Sequence, residues 1–203
     1  EENGADVLDV NAGLPEIDEK EVLTTLVTQI QGVSGLPLQI DSTDPEAIEA
    51  AVRVYSGKPI INSVNGKKEN MEQILPIVKK YGTLVVALTL DENGIPDTAE
   101  GRVEIAEKII KTAKEYGIQE EDVLVDTLVL TASTNQKSVL ENLKAIKIIK
   151  SKYNVKTVLG VSNVSFGLPA REIVNSVFLA MALDAGLDMP ILNPSSESYM
   201  KTV

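Results

Sequence analysis

Short apolar runs alternate with amphipathic stretches along the whole chain. The runs fall at about 6–10, 37–41, 59–64, 83–90, 122–128, 157–162 and 189–193. They are rich in Val, Ile and Leu and lack the strict alternation of a sheet wetted on one face. They therefore predict parallel strands buried on both faces. Between them, apolar residues recur at helical spacing near 18–32, 45–56, 69–81, 98–116, 136–152 and 170–186. Gly57, Gly82, Gly117 and Gly186 stand where helices should stop, and Asp44-Pro45 and Asp97-Thr98 where two should start.

Strands separated by single helices imply βαβ units with right-handed crossovers. Two architectures satisfy that rule, an open doubly wound sheet and a closed barrel. No glycine fingerprint of a dinucleotide fold follows any strand, and no strand reads as an edge. The expectation is an α/β fold, a TIM (β/α)8 barrel, as one domain over 1–203. Such a barrel needs eight strands and the pattern supplies seven. Residues 1–4 read as the end of a helix. The first strand and most of the last helix are therefore expected to be missing, as in a fragment of a larger, multi-module protein.

Composition narrows the chemistry. Apolar residues make up 43% and aromatics 3%, so the core must be aliphatic. A net charge of −11 argues against nucleic acid, which needs cationic partners for its phosphates, and against a polybasic membrane contact. No apolar run is long enough to span a bilayer, and the opening Glu-Glu-Asn-Gly has no signal-peptide character. A cytoplasmic location is the default expectation. The sequence has no Cys and no His. Disulfide and thiolate chemistry are thus excluded for these residues, and the usual zinc ligands are missing, so no metal is expected on this chain. Proton chemistry falls to Asp, Glu, Lys, Tyr, amides or water.

In a barrel of this kind the strand C-terminal ends carry the site. Here they read Leu8-Asp9-Val10-Asn11, Gln39-Ile40-Asp41-Ser42, Ile61-Asn62-Ser63-Val64-Asn65, Leu88-Thr89-Leu90-Asp91, Val125-Asp126-Thr127, Val161-Ser162-Asn163 and Leu192-Asn193-Pro194. One polar strand end is ordinarily a loop start or a helix cap. Seven in register predict a rim of carboxylates (Asp9, Asp41, Asp126) and carboxamides (Asn11, Asn62, Asn65, Asn163, Asn193). Carboxylates accept paired N–H donors, and amides both donate and accept. The rim suits a neutral heterocycle with an amidine-like edge, such as a pterin or a purine. A carboxylate-bound Mg²⁺ is the alternative, weakened by the excess of amides and the lack of a phosphate loop. Within Gly160 to Pro169, Asn163 is placed over the ligand and Phe166 or Arg171 at its edge, against the plainer reading of a tight loop with Phe166 capping the barrel. Asn65-Gly66 alone is a turn signal, and Asp91 to Pro96 reads as a surface turn.

Four segments carry a family resemblance. Asp-Val-Leu-Asp-Val-Asn-Ala-Gly (6–13), Ile-Asp-Ser (40–42), Ile-Asn-Ser-Val-Asn-Gly (61–66) and Gly-Val-Ser-Asn-Val-Ser-Phe-Gly-Leu-Pro (160–169) resemble the pterin-binding domains of cobalamin-dependent methionine synthases and of methyltetrahydrofolate:corrinoid methyltransferases. Ser-Phe-Gly-Leu-Pro leans toward the former. The resemblance runs nearly end to end, and it implies a TIM barrel that binds 5-methyltetrahydrofolate and passes its methyl group to cobalamin on a separate corrinoid module. It also implies a zinc module for homocysteine elsewhere in the full protein. By position, Asp41, Asn62 and Asp126 resemble the family's pterin contacts and Asn163 its catalytic asparagine near the pterin N5. Asp9, Asn11, Ser162 and Arg171 match further rim positions. Thr127 departs from the family pattern, in which Pro or Cys would follow the acid. A stand-alone corrinoid-protein methyltransferase is the next reading. A dihydropteroate synthase, for which no diphosphate site is visible, and a folate-binding barrel without turnover rank lower.

Overall fold

The computed structural model describes residues 2–14 and 16–202. Seven strands appear: β1 (Leu8–Asn11), β2 (Leu38–Asp41), β3 (Ile60–Asn65), β4 (Leu84–Leu88), β5 (Val123–Asp126), β6 (Lys156–Gly160) and β7 (Met189–Ile191). They form one sheet in sequence order, and every pair is parallel. Helices α1 (Glu19–Gln31), α2 (Pro45–Val54), α3 (Lys68–Tyr81), α4 (Ala99–Glu115), α5 (Gln136–Lys152) and α6 (Arg171–Ala185) connect consecutive strands, and a short α7 (Glu197–Met200) follows β7. The sheet curls into a nearly closed TIM barrel whose edges are β1 and β7. Glu2 and Asn3 lie in a turn rather than a helix end, and Glu1 is outside the described residues. No helix among the described residues is long and apolar enough to cross a membrane.

Local chemistry sets the helix ends. Asp18, Asp44, Thr98 and Asn135 each accept a hydrogen bond from a backbone N–H in the first turn of the helix that follows. Gly82 and Gly186 close α3 and α6 with φ of +65° and +105°, a conformation that disfavours any Cβ. Gly117 and Gly57 lie one and two positions beyond their helix caps, Tyr116 and Tyr55.

The apolar side chains divide into layers. Residues such as Leu38, Ile40, Ile61, Val85, Ala87, Val123 and Val125 pack outward against α1 to α5. Leu159 and Val161 do the same against α5 and α6. A third cluster contains strand residues almost alone: Ile60, Val86, Leu124 and Val158, joined by Val7, Leu84, Leu88, Met189 and Ile191. This is the barrel interior. Since side chains alternate across a strand, the interior set of each strand is every second residue. Continuing that parity toward the C-terminal ends places Asp9, Asn11, Gln39, Asp41, Asn62, Asp126 and Gly160 above the apolar plug.

Strands β4, β5, β6 and β7 each end two residues before the hydrophobic pattern predicts, and β7 ends on the apolar Ile191. β4 ends on the apolar Leu88, so not every strand end is polar, and Asp91 belongs to a turn closed by an Asp91–Gly94 bridge. β6 ends at Gly160, and Val161–Ser165 forms a 3-10 turn, so Ser162 and Asn163 are turn residues rather than strand residues. Val161 and Val164 are buried, and their three-residue spacing is the repeat of a 3-10 helix, which lets both face α6.

Candidate active site

The site is built on two layers of polar side chains across β1 to β3. Strand register sets Asp9 beside Gln39, Asn11 beside Asp41, and Asp41 beside Asn62. Gln39 is buried at 2% exposure and donates to Asp9 Oδ1 at 2.6 Å. Sequence reading missed it, because a lone Gln in an apolar run gives no signal until its parity is known. Asn11 donates to the Asp41 carbonyl at 3.3 Å and accepts from the Gly13 amide at 3.0 Å. Ser42 donates to Glu19 at 2.5 Å, which brings a further carboxylate to the foot of α1.

Burial holds the carboxyl groups of Asp9 and Asp41 above the ordinary carboxylate range. The Gln39 hydrogen bond opposes this at Asp9, while the Asp9 charge adds to it at Asp41. Desolvation penalises the charged form, and two nearby acids reinforce one another. Asp126 is perturbed more strongly. It lies at the end of β5 with 9% exposure, and burial pushes it up to about 7. Two effects oppose the shift, a 2.7 Å hydrogen bond from the Leu128 amide and the positive charge of Arg102. Leu128 takes φ +55°, an uncommon conformation for a branched side chain, to make that bond.

On the β6 side the geometry depends on a missing side chain. A Cβ on Gly160 would stand 3.2 Å from Asn163 Nδ2. The 3-10 turn thus folds Asn163 back over Gly160, an interior position of β6. Arg171 stabilises the turn: its Nε donates to Ser165 Oγ at 3.0 Å, its Nη2 to the Ser162 carbonyl at 3.1 Å, and its guanidinium lies 5.0 Å from the Phe166 ring. Thr131 and Ser133 donate to the Phe166 carbonyl at 2.6 and 3.1 Å, and the Ala132 amide donates to Val164, which ties the loop after β5 to the loop after β6.

The structure therefore brings Asp9, Asn11, Asp41, Asn62, Asp126 and Asn163 to one end of the barrel. The backbone carbonyls of Asn62 and Asn163 accept from the Ser42 and Phe166 amides, whereas their side-chain amides make no hydrogen bond among the described residues and are available to a ligand. Asn65 is occupied locally, accepting from the Lys67 amide at 3.0 Å. Asn193 likewise accepts from the Ser195 amide. Thr127 points away from the rim and accepts from Asn142 Nδ2 at 2.9 Å. Among the described residues, no group of three or more metal-ligating side chains is assembled.

A parallel barrel with a half-buried acid and amide set at its strand ends defines the class of TIM-barrel proteins that carry their site on the C-terminal face. Residues 1–193 match the family described as pterin binding enzyme, and the chain belongs to that family. It is 34% identical to methylcorrinoid:tetrahydrofolate methyltransferase of Eubacterium limosum, over 100% of this chain and 76% of that protein. It is 36% identical to methionine synthase of Mycobacterium tuberculosis, over 95% of this chain but 17% of that much longer protein. Methionine synthase of Mycobacterium leprae is 37% identical, over 85% of this chain and 15% of the relative. Among solved structures, dihydropteroate synthase of Xanthomonas albilineans in complex with 7,8-dihydropteroate superposes with a TM-score of 0.79 at 19% identity, covering 99% of this chain and 78% of that one. The Yersinia pestis dihydropteroate synthase gives 0.78 at 15%, covering 99% and 81%. These two likenesses establish the fold alone.

Proposed function

We propose that the chain is the pterin-binding methyltransferase module of a larger, cytoplasmic methionine-forming enzyme. It binds 5-methyltetrahydrofolate and gives the N5-methyl group to cob(I)alamin carried on a separate module. The observation that carries this is the interior-facing set Asn11, Asp41 and Asn62 in register, completed by buried Asp126 and by Asn163 over Gly160. The reading is supported by the relatives named methylcorrinoid:tetrahydrofolate methyltransferase, matched over 100% of this chain, and methionine synthase, matched over 95%.

Asp126 and Asp41 accept from the N3–H and 2-amino edge of the pterin, a two-point grip. Leaving such buried donors unpaired costs about 1–3 kcal/mol each, which makes the grip selective as well as tight. Asn62 takes a further ring contact, and Asp9, Asn11 and Ser162 border the pocket. Arg171 borders it through the turn that it clamps.

Methyl transfer breaks the N5–methyl bond and leaves the electron pair on N5. That nitrogen would depart as an anion, so a proton or a donor must meet it as the bond breaks. Asn163 supplies an amide donor to N5. Water and a rim carboxylate other than the two that grip the pterin edge deliver the proton. A corrinoid held on its own module would supply the nucleophile. The residues of this chain hold the pterin, orient N5 and stabilise its charge. Homocysteine activation falls to a zinc module elsewhere, since this sequence has no Cys and no His.

Calorimetric titration with 5-methyltetrahydrofolate, followed by a spectrophotometric assay of cob(I)alamin methylation, tests the reading. Asn163→Ala should slow transfer at least about tenfold, or 1.4 kcal/mol, with the fold intact. Asp126→Ala should mainly weaken binding. Tight binding with no methylcobalamin formed would leave a folate-binding barrel without turnover. A second reading, a stand-alone corrinoid-protein methyltransferase, is favoured by the 76% of the E. limosum enzyme that this chain spans. Transfer to a free corrinoid protein, compared with the methionine synthase module, separates the two.

A further inference from the structure

Behind the end of β5 lies a buried polar cluster that the pterin grip does not touch. Arg102, on α4, is fully buried. Its Nε donates to the Pro96 carbonyl at 3.0 Å, its Nη1 to the Thr127 carbonyl at 3.1 Å and its Nη2 to Ser138 Oγ at 2.7 Å. None of the ion pairs among the described residues includes Arg102. A buried cation without a directly bonded carboxylate is costly, so packing alone does not account for it.

The Thr127 carbonyl and the Leu128 amide belong to one planar peptide unit. That unit accepts from Arg102 on its helix side and donates to Asp126 on its barrel side, at 2.7 Å. Turning the carbonyl toward Arg102 therefore aims the N–H at the carboxyl group, and Leu128 adopts φ +55° in the process. Hydrogen bonds in such a chain strengthen one another.

We propose that Arg102 is a positioning residue for the pterin grip: through the Thr127–Leu128 peptide and its own charge it keeps the Asp126 carboxylate ready to accept the two donors of the pterin. This rests on the reading of Asp126 as a pterin anchor. The charges around the turn are few. Arg102 sits on α4, Asp97 just before that helix and Glu141 on α5, and all three acids, Asp97, Glu141 and Asp126, support the guanidinium charge against burial. β4 carries no ionisable residue, and Lys156 of β6 is at the far end of its strand, near Asp188. Two effects oppose the burial of Asp126, the Leu128 amide and the Arg102 charge, and Arg102 bonds the carbonyl of the peptide that carries that amide.

The experiment is calorimetric titration of the whole chain with 5-methyltetrahydrofolate between pH 6 and 9. Wild-type affinity should rise with pH and level off above about 7, where Asp126 is ionised. In Arg102→Gln the midpoint should move up by about one unit, so that affinity at pH 7 falls about fivefold and recovers by pH 9. Arg102→Gln added to Asp126→Asn should change nothing further. Ser138→Ala keeps the charge but loosens its anchor, and should shift the midpoint the same way, by about threefold in affinity at pH 7. It carries the test if Arg102→Gln does not fold. A wild-type pH profile in whichever variant folds overturns the proposal. Absence of binding to the wild type, or full affinity in Asp126→Asn, overturns the reading of the site instead.

Discussion

Asp126→Asn should make the ligand-free protein more stable, and increasingly so as pH rises. The carboxyl group moves from 3.8 to about 7 on folding because burial removes it from water. Between those values the native state holds a proton that the unfolded chain has released. Stability must therefore fall as pH rises through this window and level off above it. Three units at 1.36 kcal/mol each set the full loss at about 4 kcal/mol. Asparagine presents the same acceptor to the Leu128 amide and has no charge to bury. The advantage of the variant should be near zero at pH 4, about 1–2 kcal/mol at pH 5 and about 4 kcal/mol at pH 8. Asp9 and Asp41 are raised as well and weaken the fold in the same direction, but they are common to both proteins and cancel in the difference. Urea denaturation at four pH values measures this directly. A difference that does not change with pH, or a variant less stable than wild type at pH 8, would refute the assignment of that cost to Asp126. The same variant should lose the stabilisation that 5-methyltetrahydrofolate gives the wild type, so that stability and binding move in opposite directions.

Two other substitutions separate the site from the scaffold. Gly160 has φ −73°, so Gly160→Ala involves no backbone strain, but its new Cβ would meet Asn163 Nδ2 at 3.2 Å. Methyl transfer, measured with cob(I)alamin, should drop about tenfold while stability changes by less than about 1 kcal/mol; an unchanged rate would place the amide elsewhere during turnover. Leu124→Ala empties part of the barrel interior below the site and should cost about 2–5 kcal/mol in urea denaturation, and a loss below 1 kcal/mol would mean that the plug can collapse around the gap.

The element order was legible because each level of the sequence agreed with the next. Val- and Ile-rich runs, helical spacing between them, and caps such as Asp44 and Thr98 all pointed to alternating βα units. The strand ends were legible as a class but not individually. Asp41 and Asn62 were found because a polar residue after an apolar run is conspicuous. Gln39 was not, and neither was Arg102, which lies within a helical pattern beside other charges. Ser162 was found but assigned to a strand, because a 3-10 turn with Val at positions 161 and 164 is as apolar as the strand before it.

By itself the sequence determined the layered architecture, the missing chemistries and the family resemblance. These follow from periodicity, composition and short motifs, each of which is local. Only the tertiary structure decided which polar residues share one space and what that does to them. Side-chain parity across the nearly closed sheet turned Asp126 inward and Thr127 outward, so that the first side chain reaches the pocket and the second reaches Asn142, while the Thr127 carbonyl accepts from Arg102. The ionisation of Asp126 is likewise a property of the surroundings, since burial and one peptide plane set it and neither is written in any neighbouring residue.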